Sequence, residues 1–322
     1  MNKKQIIGLI AAVLCFVFVG ASNVLVRHVS NKQEALSAMK DVTKPVTDYI
    51  GVLDISGTIQ ATTGTSSLFS EVTGYNHDLL MSSVDDMMSD PHNKGLLLNL
   101  DTPGGTVYEA DELYLKIMEY KENTGRPVYA YMHSYAASGG YYLACAADEV
   151  YANRNTLTGS IGVIVSTYDM SELYAKLGIK EVNITSGRNK AMGSMGTPMT
   201  EEQIGIYQAY VDEAYNQFVD IVAAGRGLSR EKVLELADGR IYSAAQALEL
   251  DLIDGISGYE DYLSMIEDDF GGAITYYQPS EELSYFSMLF GKLQKLVPKS
   301  ESQILEEIAD STESGVLMYY AK

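Results

Sequence analysis

A regular alternation constrains this chain more than any other feature. Over residues 49–184, short apolar runs bounded by turn residues alternate with stretches of helical periodicity. Residues 49–55, 95–100, 127–132, 150–152, 161–165 and 181–184 read as strands. Residues 76–90 and 170–177 read as helices. So does the stretch after Gly105, where Ala110, Leu113, Tyr114, Ile117 and Met118 fall on one face. Strand and helix in this order call for right-handed crossovers and a mainly parallel sheet with flanking helices, an α/β fold. Beyond it, Thr200 and Gln203 read as a capping box opening a long helix, with Ile204, Tyr207, Val211, Ala214, Phe218 and Val222 inward. Ser229 and Ser243 read as N-caps of two more helices.

Between residues 5 and 26 there is no charge, and Ile, Leu, Val, Ala and Phe dominate. About 20 such residues span a bilayer core. Lys3 and Lys4 precede the run and Arg27 follows it, so short-loop counting favours the N-terminus inside. Residues 1–27 therefore read as one N-terminal transmembrane helix that stays as a membrane anchor. Gly20, Ala21 and Ser22 keep a cleaved signal peptide as the alternative. Residues 28–47 read as a polar stalk, and the remainder as a globular body on the extracytoplasmic side of the cell membrane.

The formal charge is 23 − 43 = −20, which argues against a nucleic-acid partner. Residues 201–322 hold 23 acidic and 8 basic residues, the plain reading of which is a solvated surface. Two cysteines, Cys15 and Cys145, exclude a disulfide framework. Cys145 falls in a small-residue segment that reads as a buried helix. Four histidines show no metal-ligand spacing. Residues 278–322 combine an apolar helix, an acidic stretch and an apolar end. That end, residues 316–320, has the composition to fold into a groove, its own or a neighbour's.

Three stretches could carry chemistry. Residues 101–105 (Asp-Thr-Pro-Gly-Gly) join a strand to a helix, where glycines let backbone amides reach a ligand; a plain tight turn is the alternative. Ser138, followed by Gly139 and Gly140, sits at a strand-to-helix corner with the logic of a nucleophile elbow, although the G-x-S-x-G pattern is absent. Its alternative is a simple helix cap. A serine nucleophile needs a base. His133 lies five residues earlier, where a structural role fits better. Lys190 stands among small and neutral residues, and a lysine serves as base only when burial brings its pKa down towards neutrality. A solvated surface charge is the plain reading of such a lysine.

In combination these stretches resemble the signal peptide peptidase A (SppA) family in its short, single-copy form. The resemblance runs from about residue 49 to residue 254. It rests on residues 100–105, 137–142, 158–163 (Thr-Gly-Ser-Ile-Gly-Val), 186–190 (Ser-Gly-Arg-Asn-Lys) and 239–242 (Gly-Arg-Ile-Tyr), with 190 − 138 = 52 positions from Ser138 to Lys190. The resemblance implies the Clp protease/crotonase-like fold over residues 48–277 and a membrane-anchored serine endopeptidase with a Ser-Lys dyad. Carried over residue by residue, Ser138 is the nucleophile, Lys190 the general base, and Ser160 the hydroxyl that positions the lysine. Gly105 and Gly139 supply the oxyanion amides. No metal or cofactor is implied. The chain departs from the family at Asp251, where a glycine is usual, which puts a local turn geometry in question.

The resemblance also implies substrates and assembly. The family degrades remnant signal peptides, which suggests pockets for small or aliphatic side chains. Single-copy members form homo-oligomeric rings, with an octamer one such size. The lysine is expected to act on the serine of its own chain. Two rivals share the fold: an acyl-CoA enzyme of the crotonase type, which leaves Ser138 and Lys190 idle, and a non-catalytic scaffold, which predicts no reaction with serine-directed reagents.

Overall fold

In the computed structural model the described residues are 44–61, 74–280 and 318–320. The expected transmembrane helix, most of the stalk and most of the C-terminal extension lie outside them. Among the described residues no helix is long and apolar enough to cross a membrane.

The alternation is realised as a mixed α/β body. In chain order it comprises β1 (Tyr49–Ser56), α1 (His77–Ser89), β2 (Asn93–Thr102), β3 (Gly104–Thr106), α2 (Val107–Thr124), β4 (Val128–Ala137), α3 (Gly139–Ala144), β5 (Glu149–Ala152) and β6 (Leu157–Gly159). Then come α4 (Ser171–Leu177), α5 (Glu201–Arg226), α6 (Arg230–Leu236), β7 (Ile241–Ser243), α7 (Ala244–Glu249), β8 (Gly255–Ile256), α8 (Tyr259–Asp269), β9 (Thr275–Tyr277) and β10 (Met318–Tyr320). The main sheet runs β7-β6-β4-β2-β1-β9, with β5 joining β4 to β8. Its pairs are parallel except β6 with β7.

Side chains alternate across the strands, so each face builds its own core. Leu53, Ile55, Leu98, Leu100, Ala130 and Met132 point to one face, packed with α1, α2, α3 and the second half of α5. Ile50, Val52, Leu97, Tyr129 and Tyr131 point to the other, covered by Tyr262 and Ile266 of α8. This second core is strongly aromatic: Tyr151 stacks on Tyr262 at 4.5 Å between centroids.

Several local signals hold. Thr200 and Gln203 form the capping box of α5, Ser229 caps α6, and Ser243 caps α7 with a capping box of its own. Cys145 is buried just past α3, and burial pushes its thiol up to about 12.

Other expectations fail for want of a neighbour. Residues 161–165 and 181–184 are not strands; the strand of that region is β6, earlier in the chain. Val182 and Ile184 are 79% and 97% exposed, and a strand needs a partner for its backbone groups. The inward face of α5 is also shorter than its periodicity suggests. Ala214, Phe218 and Val222 are buried, whereas Ile204 is 51% exposed. No residue of α5 before Ala214 is buried.

The departure at Asp251 has a backbone reason. Its φ is +59°, the left-handed region that favours glycine. The turn is held from outside: Arg226 donates from Nε to the Asp251 carbonyl (3.1 Å) and from its two terminal nitrogens to Asp254 (3.0 and 2.7 Å). Burial alone would raise the Asp254 carboxyl. The Arg226 bonds and the Val150 amide outweigh it and hold the group below its ordinary value. Asp251→Gly is expected to stabilise the protein by about 0.5–1 kcal/mol, read as a raised midpoint in chemical denaturation.

Candidate active site

The site begins where β2 and β4 end. β2 runs into Asp101, Thr102 and Pro103, then β3. Gly104 has φ +97°, and a Cβ there would lie 2.7 Å from the Gly139 nitrogen. A Cβ on Gly139 would lie 3.4 Å from the Gly105 nitrogen. A Cβ on Gly105 would lie 1.8 Å from the Ile59 carbonyl oxygen. At Gly104 and Gly105 no side chain fits, which lets their backbone meet those of Ile59 and Gly139. Ile59 completes the junction: it forms a parallel bridge with Gly105, donates to the Gly104 carbonyl (2.9 Å) and accepts from the Thr106 amide (2.8 Å).

Ser138 stands at this junction. Its φ is +55° and ψ −115°, a conformation an L-residue holds only when its surroundings impose it. Two backbone bonds impose it: the Ser138 amide donates to Gly159 (2.8 Å), and its carbonyl accepts from Tyr142 (2.9 Å) in α3. The side chain is fully buried, and its Oγ has no hydrogen-bond partner. A buried hydroxyl left unpaired costs free energy, so it marks either strain or a reacting group. The side chain makes no helix-capping bond.

The strand carrying Ser138 is held by side chains that the sequence did not single out for this purpose. Between Leu100 and Thr102 the pairing slips from Met132 to Ala136, so β4 bulges over residues 133–135. Asp101 Oδ1 accepts from the Tyr135 amide (3.1 Å). Thr156 Oγ1 reaches the carbonyls of Met132 (2.9 Å) and His133 (2.5 Å), and Thr158 Oγ1 that of Ala136 (2.6 Å). Thr102 Oγ1 accepts from the Gly104 amide (3.0 Å). Each ties a side chain to a backbone group at or beside the bulge and turn.

The structure brings Ser138, Gly139 and Gly105 together. Ser160 is close in the chain to the Gly159 carbonyl that holds Ser138; it is buried, with φ +50°, and its amide donates to Arg240 (2.8 Å). Lys190 is not joined to Ser138. It is exposed, in a run of turns after the Gly187 carbonyl, which its amide reaches at 3.1 Å. No residue from 162 to 200 is buried. That arm is stitched to itself: Met170 N donates to Met195 O (2.8 Å), and Glu181 accepts from Ser194 Oγ and the Gly196 amide (2.5 and 2.8 Å).

His133 serves the second core. Its Nε2 donates to Asn99 Oδ1 (2.5 Å), and its ring packs on Tyr131 and Tyr259. Asn99 in turn donates to Asp54 (3.2 Å). No group of three His, Cys, Asp or Glu among the described residues is placed to hold a metal.

A further segment reaches the junction. β10 pairs antiparallel with β3, with Tyr319 opposite Gly105, in the same chain. Residues 316 and 317 lie outside the described residues, but the last part of the apolar end does occupy a groove.

A mostly parallel sheet with helices on both faces and a strained serine beside paired glycine amides describes a peptidase scaffold. The comparisons agree. Residues 120–271 match Peptidase family S49. A protein of Enterococcus faecium carrying the name signal peptide peptidase SppA is 39% identical over 217 residues, 67% of this chain and 62% of that one. The chloroplastic serine protease SPPA of Arabidopsis thaliana is 30% identical over 212 residues, 66% of this chain and 31% of that one. Protease 4 of Haemophilus influenzae is 30% identical over 174 residues, 54% and 28% of the two chains. The chain is thus similar to SppA-type serine proteases, and it spans less than two thirds of the length of these relatives.

Burial is the largest influence on His133 and lowers its pKa; Asp101 and Asp54 oppose it. A histidine depressed in the folded state binds more protons when unfolded, so it subtracts stability as pH falls below about 6.5. His133→Gln is expected to flatten the loss of stability between pH 7 and pH 5 in denaturant titrations, and to leave stability above pH 7.5 nearly unchanged.

Proposed function

We propose that the protein is a serine endopeptidase in which Ser138 attacks a peptide carbonyl, with Lys190 as general base. The observation that carries this is the buried, unpartnered Ser138 hydroxyl in its strained corner beside Gly105 and Gly139. Lys190 takes the hydroxyl proton as the C–O bond forms and returns it to the leaving amine; water then releases the acyl group. The Gly105 and Gly139 amides stabilise the tetrahedral oxyanion. Ser160 orients the lysine.

The arm bearing Lys190 needs a seat. It exposes Tyr168, Leu177, Val182 and Ile184, and the start of α5 exposes Ile204 and Tyr210. Apolar surface of that extent fits association with further copies of this chain, and a ring delivers the arm of one copy to the serine of the next. With the uncharged run at residues 5–26 as an anchor, the ring stands on the extracytoplasmic face of the cell membrane, where remnant signal peptides are its substrates. The antiparallel seat of β10 on β3 supports an extended peptide as the bound form.

Ser138→Ala and Lys190→Ala are each expected to lower hydrolysis of a fluorogenic apolar peptide by about a thousandfold or more. Coexpressed in equal amounts, the two variants are expected to recover about a quarter of wild-type activity, because randomly mixed rings pair an intact serine with an intact lysine at that frequency. No recovery places both residues in one chain. Full activity in Ser138→Ala rejects the mechanism.

A further inference from the structure

We propose that the pocket formed by Tyr142, Phe218 and the Ala214 carbonyl is a side-chain subsite for tyrosine in an extended peptide lying antiparallel to β3. This deepens the peptidase reading by naming a residue class the site recognises, and it rests on that reading for its link to cleavage.

The chain's own tail displays the fit. Tyr319 is fully buried although only three residues of its segment are described. Its ring stacks on Tyr142 at 5.0 Å and 26° and meets Phe218 at 4.7 Å and 53°. Its hydroxyl donates to the Ala214 carbonyl at 3.0 Å. That carbonyl lies inside α5, so its second lone pair receives the phenol. A buried phenol needs such an acceptor, and this pocket supplies one at the depth of a tyrosine ring.

The walls are held independently of the guest. Tyr142 donates to Asp111 (2.5 Å) and accepts from Gln217 (2.8 Å), and its ring meets Tyr114 at 5.3 Å. Its plane is therefore set before a guest arrives. The backbone path is prepared as well. A Cβ on Gly104 would lie 2.2 Å from the Tyr319 carbonyl oxygen, so a peptide backbone passes there because position 104 is glycine. The pocket opens onto the strand that carries Gly105, and Tyr142 is four residues beyond Ser138 on α3. Pockets for small or aliphatic side chains follow from the family resemblance; this pocket is aromatic on two walls and polar at its floor.

The test uses the full-length chain with Tyr319→Ala, which vacates the pocket. A fluorescently labelled peptide of residues 315–322 (GVLMYYAK) is titrated and followed by anisotropy, beside versions with Phe, Leu or Ala in place of Tyr319. The Tyr peptide is expected to bind tightest. Phe should be weaker by about fivefold for the lost hydrogen bond, and Leu and Ala by about 30-fold or more for the lost ring contacts. In the unsubstituted chain the same peptide should bind more weakly, because Tyr319 competes. Phe218→Leu, added to the Tyr319→Ala chain, should narrow the gap between the Tyr and Leu peptides. If that variant does not fold, the peptide series decides alone. Leu or Ala binding within about threefold of Tyr overturns the subsite. Ranked binding without hydrolysis keeps the subsite and rejects the peptidase; hydrolysis without the ranking keeps the peptidase and rejects the subsite.

Discussion

Backbone meeting backbone at the carboxyl ends of β2 and β4 is the constraint on which the site depends. Gly104 and Gly105 approach Tyr319, Gly139 and Ile59 at distances that exclude any Cβ, and Gly139 lies against both of them. Beside this close backbone contact Ser138 is turned to φ +55° and is buried. The strain is local, and the structure around it supplies the means to hold it: a parallel sheet on one side, the start of α3 on the other, and backbone bonds to Gly159 and Tyr142 between them.

The polar residues around the junction follow from the same geometry. Around the bulge in β4, Asp101 accepts from the Tyr135 amide and Thr156 and Thr158 donate to the carbonyls of Met132, His133 and Ala136. On the opposite face of the sheet, His133 and Asn99 close the polar end of a core that is otherwise tyrosine-rich. The two faces thus divide the work: one carries the junction and the aromatic pocket, the other keeps the strands in register.

The segment between β6 and α5 obeys different physics. From residue 162 to residue 200 it has hydrogen bonds to itself but no buried residue, and many of its apolar side chains face outward. The association proposed for this chain would cover that surface. Lys190 is carried there, exposed, while Ser138 is buried.

The strand–helix alternation, the caps at Thr200, Ser229 and Ser243, and the glycine-flanked corner at Ser138 were legible because each is a local pattern with a local physical cause: pleat, orphan amides, absent side chains. The left-handed turn at Asp251 was legible too, as a glycine position held by another residue. Tertiary structure alone decided the rest. Residues 181–184 have strand composition but no neighbouring strand, and the outer turns of α5 have helical periodicity but no wall to pack on. The pairing of Tyr319 with a pocket made by Tyr142 and Phe218 joins residues far apart in the chain, and a one-dimensional pattern carries no distance between such residues. What the amino-acid order determined was the elements and the residue types at their ends; which of those ends met, and which were left facing outward, was settled by packing.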